Sequence, residues 1–372
     1  MSRTMGRLAA LGVVLALAAC AADKPKPTPL TSLAPKLVAR VVWSAKLDGA
    51  KLAMNMVVRD GAVVIAGDDG SVMALDVKTG AARWRAQVGS QLSAGVGSDG
   101  RYAAVVTRDN ELVVLEQGQR KWSARLDSST STAPFVAGER VFVMGVDRVV
   151  HAFDALDGRK IWSYQRPGEA LTLAQAGVLA SYKDTLMVGQ GAALVGLDPT
   201  KGTVRWETAI TSPRGTNEVE RLNDLIGPIL RQGDAICARA FQTAVGCVNA
   251  ANATLRWSRL VGGQRAVGGD AELVFGADAS DRITAWRANN GDTAWTNESM
   301  LHRALSAPVT VGRSVAFGDV EGQVHFLDRL TGETLARQST DGSAIESAPV
   351  GVDAGTIVVV TRAGGIFALR AE

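Results

Sequence analysis

One eleven-residue phrase constrains this chain more than any other feature. ALDVKTGAARW (74–84) returns as AFDALDGRKIW (152–162), GLDPTKGTVRW (196–206), CVNAANATLRW (247–257) and AWRANNGDTAW (285–295). VLEQGQRKW (114–122) is a copy two residues shorter, and FLDRLTGETLA (326–336) has Ala336 where the others have Trp. The eighth copy is split: ALRAE (368–372) closes the chain, and ARVVW (39–43) supplies its missing Trp strand from the other end. The Trp residues that close successive copies, 43, 84, 122, 162, 206, 257 and 295, are 41, 38, 40, 44, 51 and 38 positions apart. Units of that length built from short strands are the mark of propeller blades. An open stack of repeats needs terminal caps, whereas here the two ends complete each other's repeat, and closure removes exposed sheet edges. The predicted fold is all-β: a single eight-bladed β-propeller closed by N- and C-terminal strands that share one blade.

Within a unit the pattern reads strand, turn, strand, turn, strand. Pro134, Pro228, Pro308 and Pro349 lie 18 or 19 residues before a repeat copy. Each opens an alternating run such as PVTVGRSVAFG (308–318), and a strand start tolerates the missing N–H of Pro. Asp69-Gly70, Glu321-Gly322 and Gly364-Gly365 mark the first turn. Thr79-Gly80, Asp157-Gly158, Lys201-Gly202, Asn290-Gly291 and Thr331-Gly332 mark the second, where Gly supplies a positive φ. The Asp of each Leu-Asp pair is expected to cap the second turn with its carboxylate. The recurring Trp is read as an apolar plate between neighbouring sheets rather than as an exposed ligand platform.

The N-terminus is organised differently. Arg3 and Arg7 precede an uncharged stretch, 8–19, that is too short to span a bilayer. It ends in Leu17-Ala18-Ala19-Cys20, which resembles the lipobox of bacterial lipoproteins. The resemblance implies a signal peptide over 1–19 and a lipidated Cys20 as the mature N-terminus. Ala21, in place of Asp, implies the outer membrane. Residues 20–36, rich in Pro, Lys and Thr, read as a flexible tether, and 37–372 as the propeller. Without Arg3 and Arg7 the chain has 38 basic and 37 acidic side chains, which gives no electrostatic reason to expect nucleic acid.

The ALDxxTGxxxW pattern resembles the repeat of pyrroloquinoline-quinone-type propellers. Together with the lipobox, the block PRGTNEVERLND (213–224) and MLHR (300–303), the chain resembles the BamB family, lipoproteins of the outer membrane β-barrel assembly machinery. The resemblance implies a non-catalytic scaffold on the periplasmic face of the outer membrane. Its implied partners are the periplasmic domains of BamA, other subunits of the machinery and unfolded outer membrane proteins. It also implies a binding surface on two loops. One aligns with Leu171-Thr172-Leu173, with Ala174 where the family has Arg; the other with Arg221, Leu222 and Asp224, with Ile226 where the family has a second Asp. The sequence agrees on the location. The Trp206-to-Trp257 unit is the longest, its excess lies in the polar stretch 211–225, and loops of this length in a compact ring are functional or disordered. Leu171 and Leu173 alternate, so an extended segment points both the same way. They are either an exposed apolar pair or the start of the next blade's first strand.

No catalytic, cofactor or metal residue is assigned. His151, His302 and His325 lack metal-ligand spacing, and no nucleophile motif, phosphate loop or Zn-type Cys pattern occurs. Cys237 and Cys247 flank a hairpin turn near Gln242. They are either a cross-strand disulfide or two buried thiols one register step apart. Two other functions suit the repeat: a quinone-dependent dehydrogenase, and a small-ligand sensor that uses the central channel.

Overall fold

The computed structural model describes residues 25–49, 54–166, 172–173, 175–212 and 222–372. These form eight four-stranded antiparallel sheets arranged as the blades of a ring. Blade 1 shows the plan: Val57–Arg59 at the axis, then Ala62–Ala66, Ser71–Asp76 and Ala82–Gln87 at the rim. The two middle strands are apolar on both faces, because each blade is sandwiched between two others, and they are buried along nearly their whole length. The rim strands alternate and are largely exposed.

The unit therefore has four strands, not three. The run at 308–318 is two strands, Val309–Val311 and Ser314–Gly318, folded back on each other at Gly312 with φ 56°. Alternation hides such a turn, since the side-chain period resumes after it. Six of the eight axial strands have only two to four residues, because eight of them converge; Leu92–Ser98 and Leu225–Gln232 are longer and pair irregularly. Gly97, Gly227 and Gly268 lie against main-chain carbonyls of the neighbouring blade, those of Pro134, Gly177 and Pro308, where a Cβ would collide.

The eighth blade joins the chain ends. Ala39–Lys46 pairs antiparallel with Gly365–Ala371 as its rim strand, with Ala39 opposite Ala371 and Lys46 opposite Gly365. Val38 and Glu372 exchange main-chain hydrogen bonds of 3.0 and 2.9 Å beyond it.

The Trp residues bind each blade to the next. In every blade the pairing of the rim strand slips by one residue beside the repeat Trp or its counterpart, a bulge of the kind that re-aims a side chain. The indole then lies on the last turn of the following blade. Trp43 Nε1 donates to Val77 O at 2.9 Å, and Trp122 to Ala155 O at 2.8 Å. Trp162, Trp257 and Trp295 donate to Pro199, Ala288 and Arg329 in the same way. A methyl group on Gly80 would sit 2.6 Å from the Trp43 ring, so the turn Gly provides both its φ of 71° and the space for the indole. Blade 5 has Ala253 at this position; Trp206 packs against the cluster that holds Ala250 of that blade and lies on its cross-strand partner Gly196. Blade 7 has Ala336 at the Trp position, and blade 8 has no such hairpin turn, its rim strand being Ala39–Lys46. Leu37, from the other end of the chain, packs into the same cluster as Ala336.

The repeat Asp residues cap those turns. Asp76 Oδ1 accepts from the N–H groups of Lys78 and Thr79, and Arg83 bonds the other oxygen. The Arg83 bond, followed by the turn amides, lowers the Asp76 carboxyl to a pKa of about 2. Cys237 and Cys247 stand directly opposite each other in Ala235–Ala240 and Ala244–Asn249 and are joined as a disulfide.

The seam and the closure are tested together at Trp43, which is 8% exposed. Trp43→Ala is expected to cost about 3–5 kcal/mol in urea unfolding. Val41→Ala, on the same strand but exposed, should stay within about 0.5 kcal/mol. Equal effects would show that the seam does not carry closure.

Candidate functional site

In a four-stranded blade the middle turn and the connection to the next blade fall on one face of the ring. That face gathers the middle turn of blade 3, which carries Arg148, the connection into blade 4, which carries Thr172 and Leu173, and the connection into blade 5, which carries Leu222 and Asp224. Blade 4 itself begins at Leu179, so Leu173 belongs to the connection and not to a strand.

Asp224 ties these pieces together. Its Oδ1 accepts from Arg148 Nη2 at 2.9 Å, and its Oδ2 from the Leu173 main-chain N–H at 2.9 Å. Leu225 N–H donates to Gly191 O of the blade 4 turn at 2.9 Å. Thr172 Oγ1 donates to Val146 O at 2.8 Å, and Gln190 Nε2 to Arg148 O at 3.0 Å. One carboxylate thus sets the relative position of two connections and a turn from three blades. Arg148 and Asp224 are half-buried, with side-chain exposures of 21% and 18%. Leu173 and Leu222 are also half-buried, and Ile226 is buried. Cys20, Leu171, Ala174 and Arg221 lie outside the described residues.

Sequence reading missed Arg148. Its signal was slight, a cationic residue in a Gly-Val-Asp-Arg turn, and its partner is 76 residues away.

The cavity among Arg148, Thr172, Leu173 and Asp224 measures about 40 Å³, room for a water but not for a metabolite. The axial channel is larger, about 330 Å³. Its lining includes Met54, Gln175, Ile226 and Gln264 with the charged Arg265 and Glu346, and it adjoins a second axial space of about 220 Å³ that Arg59 and Phe135 line.

The family model described as outer membrane protein assembly factor BamB matches residues 38–91 and 68–297. The chain is 36% identical to the outer membrane protein assembly factor BamB of Burkholderia pseudomallei, over 100% of this chain and 99% of that one. The chain belongs to the BamB family. It is also 34% identical to BamB of Bordetella pertussis, covering 96% of this chain and 95% of the relative. The crystal structure of BamB from Moraxella catarrhalis superposes with a TM-score of 0.80 at 21% identity, over 90% of this chain and all of that one. Quinohemoprotein alcohol dehydrogenase from Comamonas testosteroni superposes at 0.68 with 16% identity, over 89% of this chain and 76% of that one, a likeness of fold alone. The BamB relatives are named as assembly factors, not as enzymes.

The Asp224 contacts are expected to be coupled. In a double-mutant cycle, Arg148→Met and Asp224→Asn should show an interaction of about 0.5–1.5 kcal/mol in unfolding free energy. A coupling near zero would show that the pair does not hold the connections.

Proposed function

We propose that this BamB-family protein is a non-catalytic scaffold in outer membrane protein assembly, and that it docks on the periplasmic domains of BamA through the connections of blades 3 to 5. The observation that carries the reading is Asp224, which braces two connections and a turn into one surface on one face of the ring. A ring held together from blade to blade presents such loops without the entropy cost of ordering them at each encounter. Leu171, Leu173 and Leu222 would form the apolar part of the surface, with Arg221, Asp224 and Arg148 as its polar rim. Other subunits of the machinery and unfolded outer membrane proteins are further partners in this reading. Residues 1–19 would be the signal and 37–372 the ring, with 20–36 joining them. Acylated Cys20 holds the ring at the periplasmic face, since two or more acyl chains anchor stably without a transmembrane helix.

Leu171→Ala combined with Leu173→Ala is expected to leave the thermal melt unchanged. Affinity for the BamA periplasmic domains should fall by at least about tenfold, equivalent to about 1.4 kcal/mol, in a titration by calorimetry. Asp224→Arg sets two guanidinium groups against each other and should lower affinity further. Folded variants that bind normally would move the interface elsewhere.

Cys20→Ala should remove the protein from the outer membrane fraction. Retention at the wild-type level, in cells without the partner, would refute the anchor.

A further inference from the structure

The segment before blade 8 has no regular secondary structure, yet it is held against blade 7. Thr28 N–H donates to Leu301 O at 3.0 Å and Lys36 N–H to Leu335 O at 2.8 Å. Three arginines of blade 7 and its connection then take three carbonyls of the segment. Arg303 Nη1 donates to Thr28 O at 2.9 Å, Arg337 Nη1 to Thr31 O at 3.4 Å, and Arg313 Nη2 to Lys36 O at 2.8 Å. Lys36 also pairs with Glu333. Leu30 and Leu33 are half-buried and Leu37 is buried.

Arg303 is the centre of this arrangement, only 2% exposed. Its Nε donates to Asp319 Oδ2 at 2.8 Å, and its Nη2 reaches Asp319 and Glu321. Asp319, fully buried, also accepts from His325 Nε2 at 2.8 Å and from the N–H groups of Glu321 and Gln323. Arg337 Nε donates to His325 Nδ1 at 3.4 Å, and burial holds the imidazole below its ordinary pKa. Asp319, Glu321 and His325 therefore aim the guanidinium, and its Nη1 is met by the carbonyl of Thr28. Apart from the Lys36–Glu333 pair and the buried Leu37, the contacts to the segment read its main chain.

We infer that the outer edge of blade 7 is a binding site for the chain's own N-terminal segment, residues 28–37, and that it fixes where the anchored N-terminus leaves the ring. The second half rests on the acylation of Cys20 proposed above. The segment descends the rim strand Thr334–Ser339 in the opposite direction to it. It therefore leaves the ring beside Leu301, on the face that carries Asp224. Eight residues separate Cys20 from Thr28 and span at most about 28 Å. The rim between blades 6 and 7 is then held within about that distance of the bilayer, and the docking connections of blades 3 to 5 keep a defined height above it. A free tether over 20–36 would leave the ring unoriented.

Hydrogen exchange on the purified, acylated protein in detergent tests the site. The amides of Thr28 and Lys36 should be protected in the wild type. Arg313→Gln with Arg337→Gln, at partly exposed positions, should speed their exchange at least tenfold while the strands of blade 7 keep theirs. Fast exchange in the wild type, or no change in the variant, overturns the binding site.

Orientation is tested on vesicles that carry a headgroup quencher, with a dye attached through Ser299→Cys, near the exit, or Asp109→Cys, on blade 2. The dye at 299 should be quenched at least twofold more, and a Gly/Ser linker of equal length in place of 25–35 should erase the difference. Equal quenching in the native chain overturns the fixed exit. A protein that does not bind the vesicles overturns the acylation instead, and the exchange result stands apart from it.

Discussion

The structure depends on one contact repeated around the ring, an indole laid on the last turn of the next blade. No blade could bury its two apolar faces alone, so stability comes from contacts between blades rather than within them. The indole supplies a large flat area and one donor, and the turn supplies a carbonyl and a Gly with no side chain in the way. At two blades the contact differs: opposite Ala253 of blade 5, Trp206 packs on the cluster of Ala250, and before blade 8, which has no hairpin turn there, Ala336 shares a cluster with Leu37. Closure is the same contact made by the two chain ends, since Trp43 docks on blade 1 from a strand paired with the last residues of the chain.

Crowding at the axis decides where function can sit. Eight strands converging on one line leave a narrow channel whose lining is rich in Gly, Ala, Ser and Pro. Chain can be added only at the turns and connections, where it costs no packing. The longest connection, into blade 5, is braced by Asp224, and the N-terminal segment is braced by Arg303. In both cases a buried or half-buried charge reaches main-chain atoms of a neighbouring stretch. Such contacts hold a loop without specifying its side chains, so the exposed residues remain available for a partner.

The family resemblance was legible because it rests on spacing. A Leu-Asp, a Gly and a Trp at fixed separations survive in any member whose blades must dock. The candidate docking residues were legible only in part. The Leu-x-Leu and Arg-Leu-x-Asp phrases are short and local, and two of their landmarks are altered, at Ala174 and Ile226. Arg148 was not legible, since nothing in a single turn announces a partner 76 residues on. Nor did composition show that the Pro-rich stretch is bound. Its polar, aperiodic sequence is what a free tether would have, and the groups that hold it are arginines nearly three hundred residues away.

By itself the sequence determined the eight units, the split blade and the docking role of Trp, because each follows from a period and from which residues tolerate positive φ or fill a flat interface. It could not separate a three-stranded from a four-stranded unit, since a tight turn at Gly312 leaves the alternation of side chains undisturbed. It left the register of Cys237 and Cys247 open, because that depends on the length of one turn. Only the tertiary structure decided which polar groups meet across the ring, Asp224 with Arg148 and Leu173, and Arg303 with Thr28. The first is made by the stacking of neighbouring blades and the second by closure, which bring together residues whose distance along the chain says nothing about their distance in space.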